Sequence, residues 1–556
     1  MKADNIVLHG YEDTKLVNYE DSSLPNTYWY DGQNEDVKGV LKMNRHVNGR
    51  LLQTYSKEDS HALVLAATRQ GKTTSFVIPT LYSFANQKRK CSLVVSDPKL
   101  ENYRLTADAL KKNGWEVLLF NFRDYMHSEY WNPLTDIFRK YKKAMTLEDE
   151  VETINGGVYK FRGVTYKKQK LLDEAIEQLR DVLLADVDMD IDTLMFHIIP
   201  PDEAKDQYWN DAPRQTGKAL IWAMLEDSDD EKGKATITED TFSFNTMFTI
   251  MDWLSEDERY DNDEFFTGRD DNSKAKKYAK VLLNNASGTR QCVASCFYAK
   301  LSAFRNSTIR LITCCSSFDM SMLVSQKPVA IFISYPDESK VYYKVISTLI
   351  QSMYEYLIGY TKKQPSGKLD FPFYFILDEF GNFPKIPDFD TVISACGGRN
   401  IWFNIILQSY AQLNTVYGKE TAETIRDNLN IHIFLGSNNP TTLKDFSDEC
   451  GFYTRICPTS ALNGSKGEIE HYTVETIPLV PRSMLARLQP GECVITEVNS
   501  GYVLFSKMER YYTCKEFFDC VLSYEMDYRS KINPLNKKYA YKPKKTLTKK
   551  KFDFDF

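Results

Sequence analysis

Two stretches of this chain carry residue types that belong together in phosphate chemistry. The first is Ala66-Ala67-Thr68-Arg69-Gln70-Gly71-Lys72-Thr73-Thr74, which fits the pattern G-x-x-x-x-G-K-[ST] in all but its first position. In such a loop, successive backbone N–H groups wrap a β-phosphate at a helix N-terminus. Lys72 reaches the β/γ oxygens, and the Thr73 hydroxyl ligates Mg²⁺. Ala66 stands where the first glycine is expected and must leave a strand with a Cβ attached. The second stretch is Asp378-Glu379, directly behind the apolar run Phe373-Tyr374-Phe375-Ile376-Leu377. Asp378 can hold the Mg²⁺ through water, while Glu379 can orient and polarise an attacking water. Gly-Lys-Thr also occurs in ordinary surface turns, and Asp-Glu pairs are common; the joint occurrence is the signal.

Both motifs require sheet edges to carry them. His61–Leu65 is an apolar run before the loop, and a helix-length segment follows it, in which Pro79 should kink or shorten the helix. Strand and helix then alternate, with strands expected at 61–66, 92–96 and 117–121 and a helix from Lys72 and another ending near Lys112. That is the pattern of a parallel sheet covered on both faces. The strand at 92–96 ends in Asp97-Pro98-Lys99, an acid and a base at the edge where open α/β folds hold ligands. The alternation resumes at Pro328–Tyr335, with a long helix over Val341–Tyr360 and further strands at 373–377, 401–407, 432–436, 492–498 and 502–507. Gln408, after the strand at 401–407, is placed to sense a γ-phosphate from the adjacent sheet edge. Arg399, before that strand and after Gly397-Gly398, could serve as a finger on a neighbouring subunit's nucleotide, or stand as a surface arginine in a turn.

Between these halves, from about 136 to 312, helical periodicity dominates, as at Leu172, Ile176, Leu179 and Leu183, with one hairpin-like piece around Arg162-Gly163. The expected organisation is therefore a lead-in over 1–60, a nucleotide-binding domain over 61–135 and 313–527, an all-α insertion over 136–312, and a basic disordered tail over 528–556. The insertion lacks paired carboxylates, ligand clusters or a basic stripe, which suits recognition of a protein more than of nucleic-acid bases.

Composition narrows the classes. At 556 residues the chain is too long for one core, and 42% hydrophobic content excludes a disordered protein. The net charge is −6, but the tail from 528 carries ten Lys/Arg against two Asp, or +8, leaving −14 elsewhere. Bulk electrostatics thus do not make it a nucleic-acid binder; the tail alone suits an anionic surface. The eleven cysteines show no C-x-x-C pair and read as reduced, mostly buried thiols, Cys292 and Cys296 included. No segment approaches 18 consecutive apolar residues, and the start lacks the parts of a signal peptide, so a cytoplasmic protein is expected.

Asp97-Pro98-Lys99, Trp131-Asn132-Pro133-Leu134, the helical insertion, PVAIFISYPDESKVYY, FILDEFGN and ILQSYAQL, taken in order over about residues 60 to 510, resemble the VirD4/TraG family of conjugative coupling proteins. The resemblance implies a RecA-like P-loop NTPase core interrupted by an all-α domain, using ATP and Mg²⁺ and assembled as a homo-hexamer. It implies delivery of a relaxase bound to single-stranded DNA to the ATPase and membrane components of a type IV secretion channel. Without transmembrane helices the chain is similar to the soluble coupling proteins of Gram-positive conjugative plasmids, recruited peripherally to the cytoplasmic face by a partner protein. Ala66 and Arg69 depart from the glycines usual in the family's loop, and some relatives carry the finger arginine at the position of Gly397. A double-strand DNA translocase or helicase of the FtsK-like class and a non-hydrolysing nucleotide-binding adaptor are the alternative functions.

Overall fold

The computed structural model describes residues 15–18, 27–30 and 39–514, except 49, 155–157, 202–206, 229–236, 256–263, 337, 460–470 and 499. The predicted basic tail lies outside the described residues. So do the side chains of Trp29 and Tyr30 in the lead-in.

The described residues divide into two compact units, one drawn from 1–120, 321–338 and 357–514, the other from 121–320 and 339–356. The first is built on a ten-stranded sheet whose strands are labelled here in chain order: β1 (Lys15–Asn18), β2 (Ala62–Ala66), β3 (Ser92–Ser96), β4 (Glu116–Asn121), β5 (Val329–Ser334), β6 (Phe373–Leu377), β7 (Ile401–Leu407), β8 (Ile431–Gly436), β9 (Glu492–Glu497) and β10 (Tyr502–Lys507). Their spatial order is β1-β10-β9-β8-β2-β7-β6-β3-β5-β4. From β8 through β5 the neighbours run parallel, while β9 is antiparallel to both β8 and β10. Strands β2, β3, β5 and β6 are buried along their whole length. Runs such as ALVLA and FYFIL accordingly read as continuous apolar segments rather than alternating ones.

Register decides where the chemistry falls. Leu377 pairs with Ser96 on one side and Ile405 on the other, and Leu407 pairs with Leu65. The carboxyl ends of β2, β3, β6 and β7 therefore lie along one edge, and the segments beginning at Ala67, Asp97, Asp378 and Gln408 leave the sheet there. Phe76, Val77 and Leu81 of the helix after the loop join Val64, Val95, Ile376, Ile406 and Ile433 in one buried cluster, which clamps that helix onto the sheet. This helix begins as a π-helix over Lys72–Val77 and continues as an α-helix over Ile78–Asn86, with Pro79 in its first turn. Proline has no N–H to give, so the change of winding falls where a hydrogen bond would be lost in any case; the helix is neither broken nor shortened.

The second unit is a helical bundle. Its centre is the helix Tyr208–Glu226, in which every residue from Thr216 to Leu225 is buried. Gly217 permits a close crossing, since a Cβ there would lie 2.3 Å from Cε of Met195. The hairpin expected around Arg162-Gly163 is present: Val158–Phe161 and Val164–Tyr166 pair antiparallel, with Arg162 and Gly163 at φ 46° and 84° in the tight turn, and Glu152–Ile154 adds a third strand, so the region is not all-α. The unit also starts near Asn121 rather than 136. The intervening segment is tied to the unit's far end by Tyr130 N–H to Ser317 Oγ (2.8 Å) and Trp131 N–H to Ile312 O (2.9 Å), while Asn132 Nδ2 donates to Phe242 O (2.6 Å). Cys292 is exposed and Cys296 half-buried, because the helix Ser287–Lys300 turns Val293 and Phe297 inward instead.

Candidate nucleotide site at the carboxyl edge of the sheet

The loop after β2 is shaped by a few backbone constraints. Ala66 is fully buried, remains within β2 and contributes its Cβ to the core cluster. Its φ is not in the left-handed region, which is why the missing glycine is tolerated. Ala67 N–H donates to Gly436 O (2.7 Å) and Gln70 N–H to Ala67 O (3.1 Å), closing the turn over Thr68 and Arg69. Gly71 sits at φ 91° and ψ 18°, and a Cβ there would stand 2.9 Å from Ser75 Oγ. Arg69 adopts φ 70°, a conformation that favours glycine. Gly436 was not singled out in the sequence, yet a Cβ on it would approach the Gln70 side chain to 3.1 Å. Its signal was a glycine ending the buried run IHIFLG.

Five predicted side chains converge. Lys72 Nζ lies 3.4 Å from Asp378 Oδ1 and forms an ion pair with Glu379 Oε1. Thr73 Oγ1 donates to Asp378 Oδ2 at 3.3 Å. Gln408 Nε2 donates to Glu379 Oε2 at 3.1 Å, so the predicted phosphate sensor touches the predicted base. Glu379 itself has φ 54° and ψ 38°, a strained left-handed residue directly after a buried strand. Its N–H donates to Asp378 Oδ1 (2.8 Å), so the strained turn orients both carboxylates. Burial pushes the Asp378 pKa up, and the charge of Glu379 adds to this, while Lys72 and the Glu379 N–H oppose it.

Supporting contacts were not legible in the sequence. Ser96 Oγ donates to Asp378 O (2.9 Å), and Gln412 Oε1 accepts from Gln408 N–H (2.8 Å). Gly381 leaves room for Gln412, since a Cβ there would come within 2.5 Å of its amide.

Two expected positions lie elsewhere. Asp97 is buried and turned into the start of the helix Glu101–Lys112, where Tyr103 N–H donates to its Oδ2 (2.8 Å). Lys99 is exposed. The pair is thus not a ligand-facing acid and base: Asp97 satisfies orphan helix N–H groups. Arg399 ends the short turn before β7, where its Nη1 donates to Ala395 O (2.5 Å). That is the amino edge of the sheet, a strand length or about 20 Å from the loop at about 3.3 Å per residue.

The arrangement fits a magnesium nucleotide. Gly71 opens the helix N-terminus without a Cβ, Lys72 supplies the only cation paired with these carboxylates among the described residues, and Thr73 Oγ1 with Asp378 Oδ2 offers two oxygen donors of the kind Mg²⁺ takes. Sheet order, phosphate loop and Asp-Glu strand end together define a RecA-like P-loop NTPase fold. More narrowly, the chain belongs to the family of type IV secretory system conjugative DNA transfer proteins, whose model matches residues 20–526.

Protein VirD4 of Rhizobium rhizogenes is 21% identical over 410 residues, covering 71% of this chain and 50% of the relative. VirD4 of Rhizobium radiobacter is 22% identical over 411 residues, covering 71% and 49%. The chain thus spans about half the length of these curated relatives. Among solved structures, the unbound bacterial conjugative coupling protein TrwB superposes with a TM-score of 0.54 at 14% identity, covering 81% of this chain and 84% of TrwB. The plasmid coupling protein TrwB in complex with ADP and Mg²⁺ gives a TM-score of 0.52 at 14% identity, covering 81% and 85%. Among the described residues no helix is long and apolar enough to cross a membrane.

Proposed function

We propose that this chain is a conjugative coupling protein: an ATPase that recruits a relaxase bound to single-stranded DNA to a type IV secretion channel. On this reading it acts as a homo-hexamer and is held peripherally at the cytoplasmic face of the membrane by a partner protein. The observation that carries the proposal is the convergence of Lys72, Thr73, Asp378, Glu379 and Gln408 at one sheet edge, in a chain of the conjugative transfer family.

When bound, the magnesium nucleotide supplies the phosphoanhydride bond and the cation that neutralises its charge. Everything else falls to the chain. The N–H groups from Gly71 to Thr74 would receive the phosphate oxygens, and Thr73 with Asp378 would hold the metal. Lys72 would exchange its carboxylate partners for phosphate oxygens. That exchange would free Glu379 Oε1 to accept the proton of a water whose oxygen bonds to the terminal phosphorus as the bond to the leaving diphosphate breaks. Gln408, bonded to the other carboxylate oxygen, keeps the base oriented while Lys72 moves away.

The test separates binding from turnover. Lys72→Ala should lose ATP affinity, because Lys72 touches phosphate directly. Glu379→Gln should bind ATP and hydrolyse it roughly 100-fold or more slowly, as for a lost general base. Wild-type turnover by Glu379→Gln contradicts the assignment.

A further inference from the structure

The last described residues bring a second cation to the phosphate loop. After β10 the chain is pinned to the small sheet formed by Thr27–Tyr30, Leu41–Val47 and Arg50–Tyr55: Glu509 N–H donates to Asn44 O (2.8 Å), and Asn44 Nδ2 donates to Glu509 O (3.3 Å). Tyr511 then packs on the cluster of Leu51, Ile78, Tyr82, Leu105 and Cys514. Thr513 closes the turn through its N–H (2.9 Å) and Oγ1 (2.7 Å), both donated to Arg510 O. Held this way, Arg510 turns toward the loop, and a Cβ placed on Gly71 would lie 3.6 Å from Arg510 Nε. Arg510 Nη1 donates to Tyr512 OH (2.6 Å). Nε, however, is buried with no hydrogen-bond partner. A buried guanidinium N–H without an acceptor is unfavourable, and this one stands beside the glycine that opens the phosphate loop.

We propose that Arg510 is a nucleotide-binding residue acting within its own subunit, its guanidinium donating to a phosphate oxygen of the nucleoside di- or triphosphate cradled by Gly71, Lys72 and Thr73. The inference rests on the reading of that loop as a nucleotide site. A guanidinium suits the task because its planar fork keeps Nη1 on Tyr512 while Nε serves a phosphate. It also gives the strands Leu41–Val47 and Arg50–Tyr55 a part in the site: Asn44 on the first and Leu51 on the second fix the segment that carries Arg510.

Equilibrium binding of ATP, ADP and adenosine to the full chain tests this, with wild type, Lys72→Ala, Arg510→Ala and Arg510→Lys compared beside their melting temperatures without ligand. Arg510→Ala should weaken ATP and ADP by about 10- to 100-fold, the range for one charge-assisted hydrogen bond. Adenosine affinity should be unchanged, and Arg510→Lys should recover part of the loss. Wild-type ATP affinity in Arg510→Ala, with loss in Lys72→Ala, overturns the role of Arg510 and leaves the nucleotide site standing. Equal losses for ATP and adenosine also overturn it, by marking Arg510 as structural. If the alanine variant does not fold, Arg510→Gln replaces it under the same criteria. Failure of the wild type to bind any nucleotide instead removes the parent reading.

Discussion

At Ala66 and Gly71 the same loop gives opposite answers to one question, whether a Cβ fits. Ala66 places its methyl in the core cluster with an extended backbone, whereas Gly71 has φ 91° and Ser75 Oγ only 2.9 Å from where a methyl would stand. Restoring the family's usual glycine with Ala66→Gly should therefore destabilise the fold by about 1 kcal/mol without raising ATP affinity. Gly71→Ala should lower ATP affinity, since the loop must shift. Titrating both variants with ATP after thermal melting checks this, and tighter binding by Ala66→Gly would contradict it. These residues also show why part of the site could be read from sequence. Lys72, Thr73, Asp378, Glu379 and Gln408 each sit at the end of a strand or the start of a helix, so local pattern places them. Ser96, Gly436 and Arg510 reach the site only through strand order and long-range contacts, and no spacing rule links them to it.

The elements around the site carry constraints of their own. Asp97 illustrates one, because the turn after β3 buries its carboxyl at the start of the helix Glu101–Lys112. Burial pushes its pKa up to about 7, against N–H donation from Tyr103 and its neighbours and with a further push from Asp378. The sign follows from the protons bound. Between the ordinary 3.8 and about 7 the folded state holds a proton that the unfolded chain has lost, so stability falls as pH rises through that window and levels off above it. The loss is at most about 4 kcal/mol, taking 1.36 kcal/mol per unit. Asp97→Asn, which keeps an acceptor for Tyr103 N–H, should flatten the decline in melting temperature between pH 5 and pH 8 (about one unit above the ordinary value and one above the raised one). An unchanged pH slope in the variant would show that the carboxyl is ionised throughout. Sequence alone placed Asp97 at the correct edge but not its direction, which is set by a helix start a few residues on.

For the whole molecule, the central geometric fact is that Arg399 and Lys72 lie at opposite edges of one sheet. A single copy cannot use both on one nucleotide, so a finger role for Arg399 requires a neighbour in a ring. In assemblies mixed from wild type and Arg399→Ala, ATP turnover should fall faster than the mutant fraction rises, because each mutant subunit disables an adjacent site. A strictly linear fall would assign Arg399 to its turn, where its bond to Ala395 O already holds it. The two-unit division was largely legible as an interruption of strand–helix alternation. Its boundary at Asn121 was not, because the hydrogen bonds from Tyr130, Trp131 and Asn132 to residues beyond 240 are invisible to local pattern.

The carboxylate beside Lys72 should drive transfer. The most direct measurement is the frequency of plasmid transfer from donor cells in which this chain carries Glu379→Gln, with protein level and relaxase nicking of the plasmid followed in the same cells. Transfer should fall to that of donors lacking the protein, while the variant accumulates normally and nicking continues. Transfer at the wild-type frequency would contradict the claim that this site powers conjugation.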